Sequence, residues 1–436
     1  MMQLSRSQWN VLFAAWLGWG FNIFDSLLFN YVAANCIPTL LGLQIGSPEA
    51  KAAILFWTGI LTSLLLIGWA IGGIIFGQIA DRIGRLKTML ITMLLYSLGT
   101  AFCAFAPNLW FLIAFRFLAS LGIGGEWASG ATLVAETVPD KNRVEAGALL
   151  YTSAPMGLFL ATFVNWAIAG NLMKGQPEVS WRYVFACGLI PAVASFVVRA
   201  FAKEPERWAQ TSHQEAGKLS EIFTPKYRRA TISAIITATT ALITWWTCNA
   251  FIVVISGGIA QANAVAQGLD KTAVSGVVEQ AKTLAANCYN TGGLVGTLLT
   301  IPAAKILGRK RMFSLYFLLS SIFIFVTFGM NWEPVTRTYL YFLVGLTVFG
   351  IFGSFTFYLP ELFPTRLRAT GAGFCYNTGR IVASIGPFWV GSIASAGGAD
   401  AANSAIKALF WIGFVPLIGI LLMPWVLETK NKVLED

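Results

Sequence analysis

Long apolar stretches, separated by short polar segments, dominate the pattern of hydrophobic and polar positions along this chain. A helix needs about 20 predominantly apolar residues to cross the hydrocarbon core of a bilayer. Twelve stretches meet that length, at 9–40, 53–79, 86–106, 108–137, 144–170, 182–202, 229–261, 279–304, 311–330, 337–360, 370–395 and 405–427. The pattern predicts an all-α membrane protein with twelve transmembrane helices.

A polar segment between the sixth and seventh stretches divides the chain in two. We expect an N-terminal six-helix bundle at 1–202, a cytoplasmic linker at 203–228 and a C-terminal six-helix bundle at 229–436. The motif Glu136-x-x-Pro139-x-x-x-Arg143 reappears in the second half as Glu361-x-x-Pro364-x-x-x-Arg368. Such internal repeats are typical of transporters, which bind their substrate between the two halves and open alternately to each side.

The composition agrees with this assignment. Hydrophobic residues make up 56% of the 436 positions and charged residues 11%, whereas about a quarter of the residues of a soluble domain are charged. The six cysteines lie singly in apolar stretches, and His213 is the only histidine. We therefore expect no disulfide framework, no metal site and no cofactor, and no spacing indicates an enzyme.

The distribution of basic residues predicts the orientation. Of the 30 Lys and Arg residues, 21 lie in the loops on the side of both termini and 7 in the loops on the opposite side. The positive-inside rule then places both termini in the cytoplasm of a protein of the inner membrane. The net charge of +10 follows from this topology and does not indicate a nucleic-acid partner.

Several motifs resemble those of the major facilitator superfamily. The segment Gly77-x-x-x-Asp81-Arg82-x-Gly84-Arg85-x-Lys87 is similar to the family's signature loop between helices two and three. The repeated Glu-Pro-Arg motif and Leu427-Glu428-Thr429-Lys430 resemble the branch of sugar porters, metabolite:proton symporters and organic-ion transporters. The segment Glu204-Pro205-Glu206-Arg207-Trp208 matches the sugar-porter pattern only in part, which counts against a sugar.

Charged residues at the cytoplasmic helix ends are candidates for a gate. Acids and arginines there can pair when the inner face closes and separate when it opens; the alternative is ordinary solvation of loops. The predicted gate residues are Asp81, Arg85, Glu136, Arg143, Glu361 and Arg368.

Four ionisable residues lie inside apolar stretches, where such groups are costly and usually functional. In the sugar-proton symporters that this chain resembles, an aspartate in helix one pairs with an arginine in helix four. Asp25 and Arg116 occupy those places, so protonation of Asp25 is expected to release the pair; the alternative is a fixed structural ion pair. Glu126 follows a glycine-rich segment that resembles metabolite:proton symporters, and it is either a second proton site or a structural partner.

Arg380 is the candidate for substrate binding. Asn377 and Tyr376 lie on the same side of its helix, and a guanidinium matches a carboxylate with two parallel hydrogen bonds. The alternative is an arginine paired with an acid of the other half, such as Glu126. Further candidates for the cavity wall are Asn22, Asn287, Tyr289, Asn290, Trp245 and Trp246.

The sequence thus predicts a proton-coupled symporter of a small organic anion, with a monocarboxylate preferred and the proton as coupling ion. We expect a monomer embedded in lipid. One alternative is a sugar or polyol symporter in which Arg380 is structural. Another is an organic-cation carrier in which Glu126 binds the cation, and a third is a non-transporting receptor on the same fold.

Overall fold

A computed structural model gives the fold and describes residues 4–83, 85–139, 142–194 and 218–430. Within these ranges the description does not include the side chains at 77, 78, 80–82, 85, 126–133, 135, 136, 143, 144, 365, 366, 368, 369 and 399. All regular secondary structure of the described residues is helical, in agreement with the predicted class.

The described part of the first half consists of long helices with short interruptions. They are α1 (Arg6–Leu41), α2 (Pro48–Ile83), α3 (Arg85–Cys103), α4 (Leu109–Thr137), α5 (Arg143–Tyr151, Ser153–Asn165 and the π-helical Trp166–Leu172) and α6 (Pro177–Ala186, continued by the 3₁₀ turn Cys187–Leu189).

The second half begins with the 3₁₀ segment Leu219–Phe223 and continues with six further helices over its described residues. They are α7 (Arg228–Ala266), α8 (Lys271–Leu307), α9 (Arg309–Gly329), α10 (Pro334–Val344, the π-helical Gly345–Phe349, the 3₁₀ turn Gly350–Ser354 and Phe355–Leu362), α11 (Thr365–Ala383 and Ile385–Ala396) and α12 (Ala401–Ile412 and Phe414–Leu421).

Local sequence signals explain where several of these helices begin and end. The Ser5 hydroxyl accepts the N–H of Gln8, whose side chain accepts the N–H of Ser5, so a capping box starts α1. Asp270 starts α8 by accepting the N–H of Ala273. Gly42 ends α1 with a φ of 67°, a conformation that glycine adopts without strain.

The helices match the predicted apolar stretches one to one, which confirms the predicted fold class. Eight helical stretches among the described residues are long and apolar enough to cross a membrane by length and composition. The remaining helices are shorter, more polar or interrupted. The helix ends nearest the two termini form one end of the bundle, the inner end in the predicted orientation, and the opposite helix ends form the outer end.

Several helices begin before the predicted apolar stretches, α2, α6, α8 and α11 among them. α6 begins at Pro177 and α8 at Lys271, several residues before the expected positions. The apolar pattern misses the first residues of α8 because Lys271, Thr272 and Ser275 are polar. Glu279 and Lys282, which lie within the predicted stretch, are charged as well. Both are buried inside the protein, where they form an ion pair within the helix. The assignment of Lys282 to an outer loop was therefore wrong.

Glycines bring pairs of helices into backbone contact next to the centre of the molecule. A methyl group on Gly124 of α4 would lie 2.0 Å from the carbonyl oxygen of Trp69 in α2. In the second half, a methyl group on Gly345 of α10 would lie 2.0 Å from the carbonyl oxygen of Tyr289 in α8. Larger residues at either glycine would push these helices apart. The two glycines thereby fix the positions of Trp69 and Tyr289.

Candidate functional site

Asp25 lies fully buried where α1, α3 and α6 meet. The hydroxyl of Thr100 in α3 donates a hydrogen bond to Oδ2 of Asp25 at 2.7 Å. The other carboxylate oxygen, Oδ1, has no hydrogen-bond partner among the described residues. A methyl group on Gly188 of α6 would lie 3.3 Å from this oxygen, so the glycine gives the carboxylate room.

Arg116 lies beside Asp25, as the sequence predicts, but the two side chains do not bond directly. The guanidinium donates to the backbone carbonyls of Asp25, at 3.2 Å, and of Ser26, at 2.6 Å. It also donates to the hydroxyl of Thr100 at 3.2 Å. Thr100 therefore links the arginine to the carboxylate. The sequence analysis missed this residue, because a threonine in an apolar helix carries no distinctive signal.

Asn22, a predicted substrate ligand one turn before Asp25, forms a hydrogen bond between two helices. Its side-chain amide donates to the backbone carbonyl of Ile123 at 2.8 Å and ties α1 to α4. Its own carbonyl oxygen has no hydrogen-bond partner among the described residues. The structure therefore places Asn22 near the coupling residues, and its role in substrate binding stays a prediction.

Arg380 lies between the two halves and is 2% exposed. Its guanidinium carbon lies 4.2 Å from the ring centre of Trp69, in the first half, and 4.6 Å from that of Tyr376. Nη1 donates to Oδ1 of Asn377 at 2.9 Å, so the predicted trio of Tyr376, Asn377 and Arg380 comes together. The Nε of Arg380 has no acceptor among the described residues.

Aromatic side chains of both halves surround Arg380. Trp246 contacts the ring of Trp69 at 5.6 Å between centres and that of Trp245 at 4.6 Å. Trp245 contacts Phe349 at 5.4 Å, and Tyr289 stacks on Phe349 at 6.0 Å. With the rings that touch these, the central aromatic cluster consists of Trp19, Trp69, Tyr151, Trp245, Trp246, Tyr289, Phe349, Phe352 and Tyr376.

The polar atoms left without partners in this cluster are hydrogen-bond donors. Besides Nε of Arg380, they are the indole N–H groups of Trp69 and Trp245 and the hydroxyl of Tyr289, as far as the described residues go. A buried polar group without a partner costs about 1–3 kcal/mol. Donors around one guanidinium form a surface that is complementary to an anion.

The two asparagines predicted in α8 lie on different faces of that helix. Asn290 is buried next to Tyr31 of α1, and its Nδ2 has no acceptor among the described residues. Asn287 lies on another face, in an open groove beside Tyr339 of α10. The structure therefore brings Asn290, and not Asn287, towards the interface between the halves.

The predicted gate is described only at Glu361. Its carboxylate accepts two hydrogen bonds from Arg309 of α9, at 2.6 and 3.0 Å, and one from Thr429 at 2.5 Å. These contacts lie within the second half. The side chains of the other predicted gate residues and of the proton-site candidate lie outside the described residues: Asp81, Arg85, Glu136, Arg143, Arg368 and Glu126.

One ion pair at the inner end joins the two halves directly. Lys305 of α8 pairs with Glu145 of α5, and both side chains are partly exposed, at 52% and 31%. Neither Glu145 nor Lys305 is among the gate residues predicted from the sequence, although Lys305 lies in the half whose gate residue Glu361 is described. The structure gives Lys305 a partner in the other half.

Comparisons with known proteins agree with this arrangement. A family model described as Major Facilitator Superfamily matches residues 15–387. The "Probable 4-methylmuconolactone transporter" of Cupriavidus pinatubonensis is 28% identical over 99% of this chain and 93% of its own length. The "Cis,cis-muconate transport protein" of Acinetobacter baylyi is 28% identical over 83% of this chain and 84% of its own length.

The fold is also that of a solved transporter. The crystal structure of a D-xylose-proton symporter superimposes with a TM-score of 0.73, over 98% of this chain and all of that chain, at 17% sequence identity. At that identity the likeness establishes the shared arrangement of helices. It does not extend to the substrate.

Proposed function

Because this chain belongs to the major facilitator superfamily, we propose that it carries a small organic carboxylate together with a proton across the cytoplasmic membrane by alternating access. Membership of this family of transporters confirms the predicted family and the prediction that the chain is not an enzyme. The cargo, the coupling ion and the orientation belong to the proposal.

The observation that carries the proposal is the unbalanced charge of Arg380. Its guanidinium is buried between aromatic rings, its side-chain hydrogen bonds go to the neutral groups of Asn377 and Tyr376, and no described acid pairs with it. A buried cation is costly unless an anion or water neutralises it. A cargo carboxylate would neutralise it and accept the hydrogen bonds that Nε and the nearby indole and phenol donors offer.

The wall around this donor set favours a particular kind of carboxylate. The rings of the central aromatic cluster offer mostly apolar faces, with hydroxyl groups only on its tyrosines, so they favour a flat apolar body with one acidic group. A sugar needs acceptors as well as donors, and an organic cation would be repelled by the guanidinium. The two relatives named for muconate and for a muconolactone support a carboxylate cargo.

Asp25, Thr100 and Arg116 provide the proposed route for coupling. When Asp25 is ionised, Thr100 donates to the carboxylate and accepts from the guanidinium, so the hydroxyl joins α1, α3 and α4. A proton on Asp25 removes the negative charge that holds this arrangement, and the helices can then move relative to each other. The protein would be a monomer with both termini in the cytoplasm.

The test compares ligand classes on the purified protein and on two arginine variants. We expect benzoate, a flat monocarboxylate, to raise the melting temperature of the wild type, and xylose and choline to have no effect. Arg380→Gln should abolish the stabilisation and the uptake of the labelled carboxylate into proteoliposomes.

The matched control is Arg337→Gln. Arg337 is a buried arginine of the same half that donates hydrogen bonds to the backbone carbonyls of Thr327 and Met330, so this variant should keep ligand stabilisation. Undiminished stabilisation by carboxylates in Arg380→Gln, or stabilisation of the wild type by xylose alone, would contradict the proposal.

A further inference from the structure

A buried ion pair lies near the outer end of α8. Lys282 and Glu279 are one turn apart and are 1% and 2% exposed. The ammonium group of Lys282 lies 2.8 Å from one carboxylate oxygen of Glu279 and 2.9 Å from the other. Neither residue has a part in the carboxylate site or in the coupling route described above.

Two asparagines of the first half complete this group. The side-chain amide of Asn35 in α1 donates to Oε1 of Glu279 at 3.3 Å, and that of Asn165 in α5 donates to Oε2 at 2.6 Å. Each carboxylate oxygen therefore has one partner in its own half and one in the other half. We name Asn35, Asn165, Glu279 and Lys282 the outer clasp.

The outer clasp lies about two helical turns inside the outer end of the bundle. Asn35 is six residues before the end of α1, Asn165 seven residues before the end of α5, and Glu279 eight residues after the start of α8. These spacings correspond to about 9–12 Å of helix. An open groove of about 540 Å³, lined by Glu178 and Lys271 among others, lies at that outer end. The clasp thus separates the groove from the interior.

The surrounding helices make room for these charges. A methyl group on Gly257 of α7 would lie 3.0 Å from Cγ of Lys282, so the glycine accommodates the lysine stem. A methyl group on Gly170 of α5 would lie 3.4 Å from Cβ of Glu279. Charges buried at this depth need their full set of hydrogen bonds. The carboxylate of Glu279 keeps all four of its hydrogen bonds only while the two halves are together.

Two other ion pairs between the halves differ from the clasp in exposure. The pair of Glu145 and Lys305, at the inner end, is partly exposed. Lys271 and Glu178, at the outer surface, are 69% and 44% exposed. Exposed pairs contribute little to stability, because water and salt screen them. The helices α5 and α8 are therefore held at both ends, but more firmly at the outer one.

We propose that the outer clasp holds the outer face of the transporter shut, so that the protein at rest keeps the outer face closed and opens its inner end more readily. This inference rests on the alternating-access part of the proposed function and not on the identity of the cargo. Glu279 and Lys282 act as positioning residues. They set the balance between the two faces without touching the cargo.

The native Cys36 reports on the clasp. It follows Asn35 in α1 and is fully buried, so a membrane-impermeant maleimide added outside should label it only when the outer face opens. The experiment measures labelling of each cysteine by peptide mass spectrometry in spheroplasts. We expect the combined Asn35→Ala and Asn165→Ala variant to label about tenfold faster at Cys36, which corresponds to ~1.4 kcal/mol.

Two controls distinguish opening of the outer face from unfolding of the protein. Glu178→Gln breaks the exposed outer ion pair between the same halves and should label at the wild-type rate. Cys375 is buried in α11 at a distance from the clasp along the chain, and its labelling should stay unchanged in every variant. A rise at Cys36 together with Cys375 reports unfolding and would overturn the proposal for that variant.

A second variant keeps the proposal testable if the alanine pair does not fold. Asn165→Asp keeps the shape of the side chain but places a second negative charge against Glu279, and it should also accelerate the labelling of Cys36 alone. Wild-type labelling of Cys36 in folded Asn165→Asp would overturn the proposal. Because labelling needs no cargo, this outcome is distinct from a failure of the carboxylate assay.

Discussion

At the scale of single residues, a hydroxyl connects the two charges of the coupling site. Thr100 donates to the carboxylate of Asp25 and accepts from Arg116, and a hydroxyl is the only group of its size that does both. The guanidinium of Arg116 donates its other hydrogen bonds to backbone carbonyls of α1. The position of Arg116 is thus less dependent on the charge of Asp25 than a direct ion pair would make it.

The first prediction follows from this role of Thr100. Thr100→Val keeps the shape of the side chain but removes both hydrogen bonds, so Asp25 and Arg116 lose their link. We expect accumulation driven by a proton gradient to fall about tenfold, as for a loss of ~1.4 kcal/mol, while exchange of cargo without a gradient continues. Proteoliposome uptake with and without an imposed pH gradient measures both quantities.

The control for this prediction lies in the same helix. Thr92 is equally buried in α3, but among the described residues its hydroxyl bonds only to the carbonyl of Met89 within the helix. Thr92→Val should therefore keep gradient-driven accumulation. Equal loss in both valine variants, or no loss in either, would show that Thr100 does not connect the charges.

The sequence predicted the charged members of the site and missed their neutral partners. Asp25, Arg116 and Arg380 stand out because ionisable groups are rare inside apolar stretches. Thr100 and Trp69 do not stand out, since threonine and tryptophan are common in membrane helices. Their roles depend on which helices pack together, and that information comes only from the folded chain.

At the scale of whole helices, the apolar pattern predicted the existence of each helix and not all of its ends. The starts of α6 and α8 were placed too late because charged residues continue these helices past their apolar cores. In α8 the opposite charges of Glu279 and Lys282 neutralise each other inside the protein, so the rule that places basic residues in loops does not hold for Lys282.

The beginning of α9 depends on a residue from the far end of the chain. Glu428 accepts the backbone N–H groups of Arg309 at 2.8 Å and Lys310 at 3.0 Å. Gly308, with a φ of 84°, lets the carboxylate approach, since a methyl group there would lie 2.6 Å from its oxygen. A negative charge at this position also stabilises the N-terminal end of the helix dipole.

The second prediction concerns the pH dependence of this contact. Burial opposes ionisation of Glu428, but the N–H donors of Arg309, Lys430 and Lys310 outweigh it and hold the pKa of Glu428 below its usual value of 4.5. A lowered pKa means that the contribution to stability is complete above pH 4.5 and is lost as the pH falls through the lower, folded-state value. Glu428→Gln should therefore melt below the wild type at pH 7 and converge with it in strong acid.

Melting temperatures between pH 3 and pH 7 measure this difference. Glu333→Gln is the control, because Glu333 precedes α10 and its side chain accepts no capping hydrogen bond from that helix. That variant should follow the wild type across the whole range. A difference between Glu428→Gln and the wild type that stays constant with pH would contradict the proposed contact.

At the scale of the whole molecule, the distribution of charges bears both on the predicted orientation in the membrane and on how readily each face opens. Burial of Lys282 removes one of the 7 basic residues that the sequence analysis assigned to the outer loops, so the excess at the inner end grows. The same lysine holds the outer clasp instead. At the inner end the halves are joined by the partly exposed pair of Glu145 and Lys305, and this difference makes the two faces unequal.

The last prediction tests the difference between the two faces by removing the ion pair of Glu145 and Lys305 at the inner end. Glu145→Gln removes an exposed ion pair, which is worth at most ~1 kcal/mol, so the melting temperature should change little. Because the pair joins α5 and α8 only while the inner face is closed, its loss should favour the inner-open state and change the rate of cargo exchange by up to about fivefold. Lys305→Gln should have the same effect, and the double variant should add nothing, since both changes remove one interaction. Additive effects of the two changes would mean that the residues act through separate contacts and that α5 and α8 are not held together at the inner end.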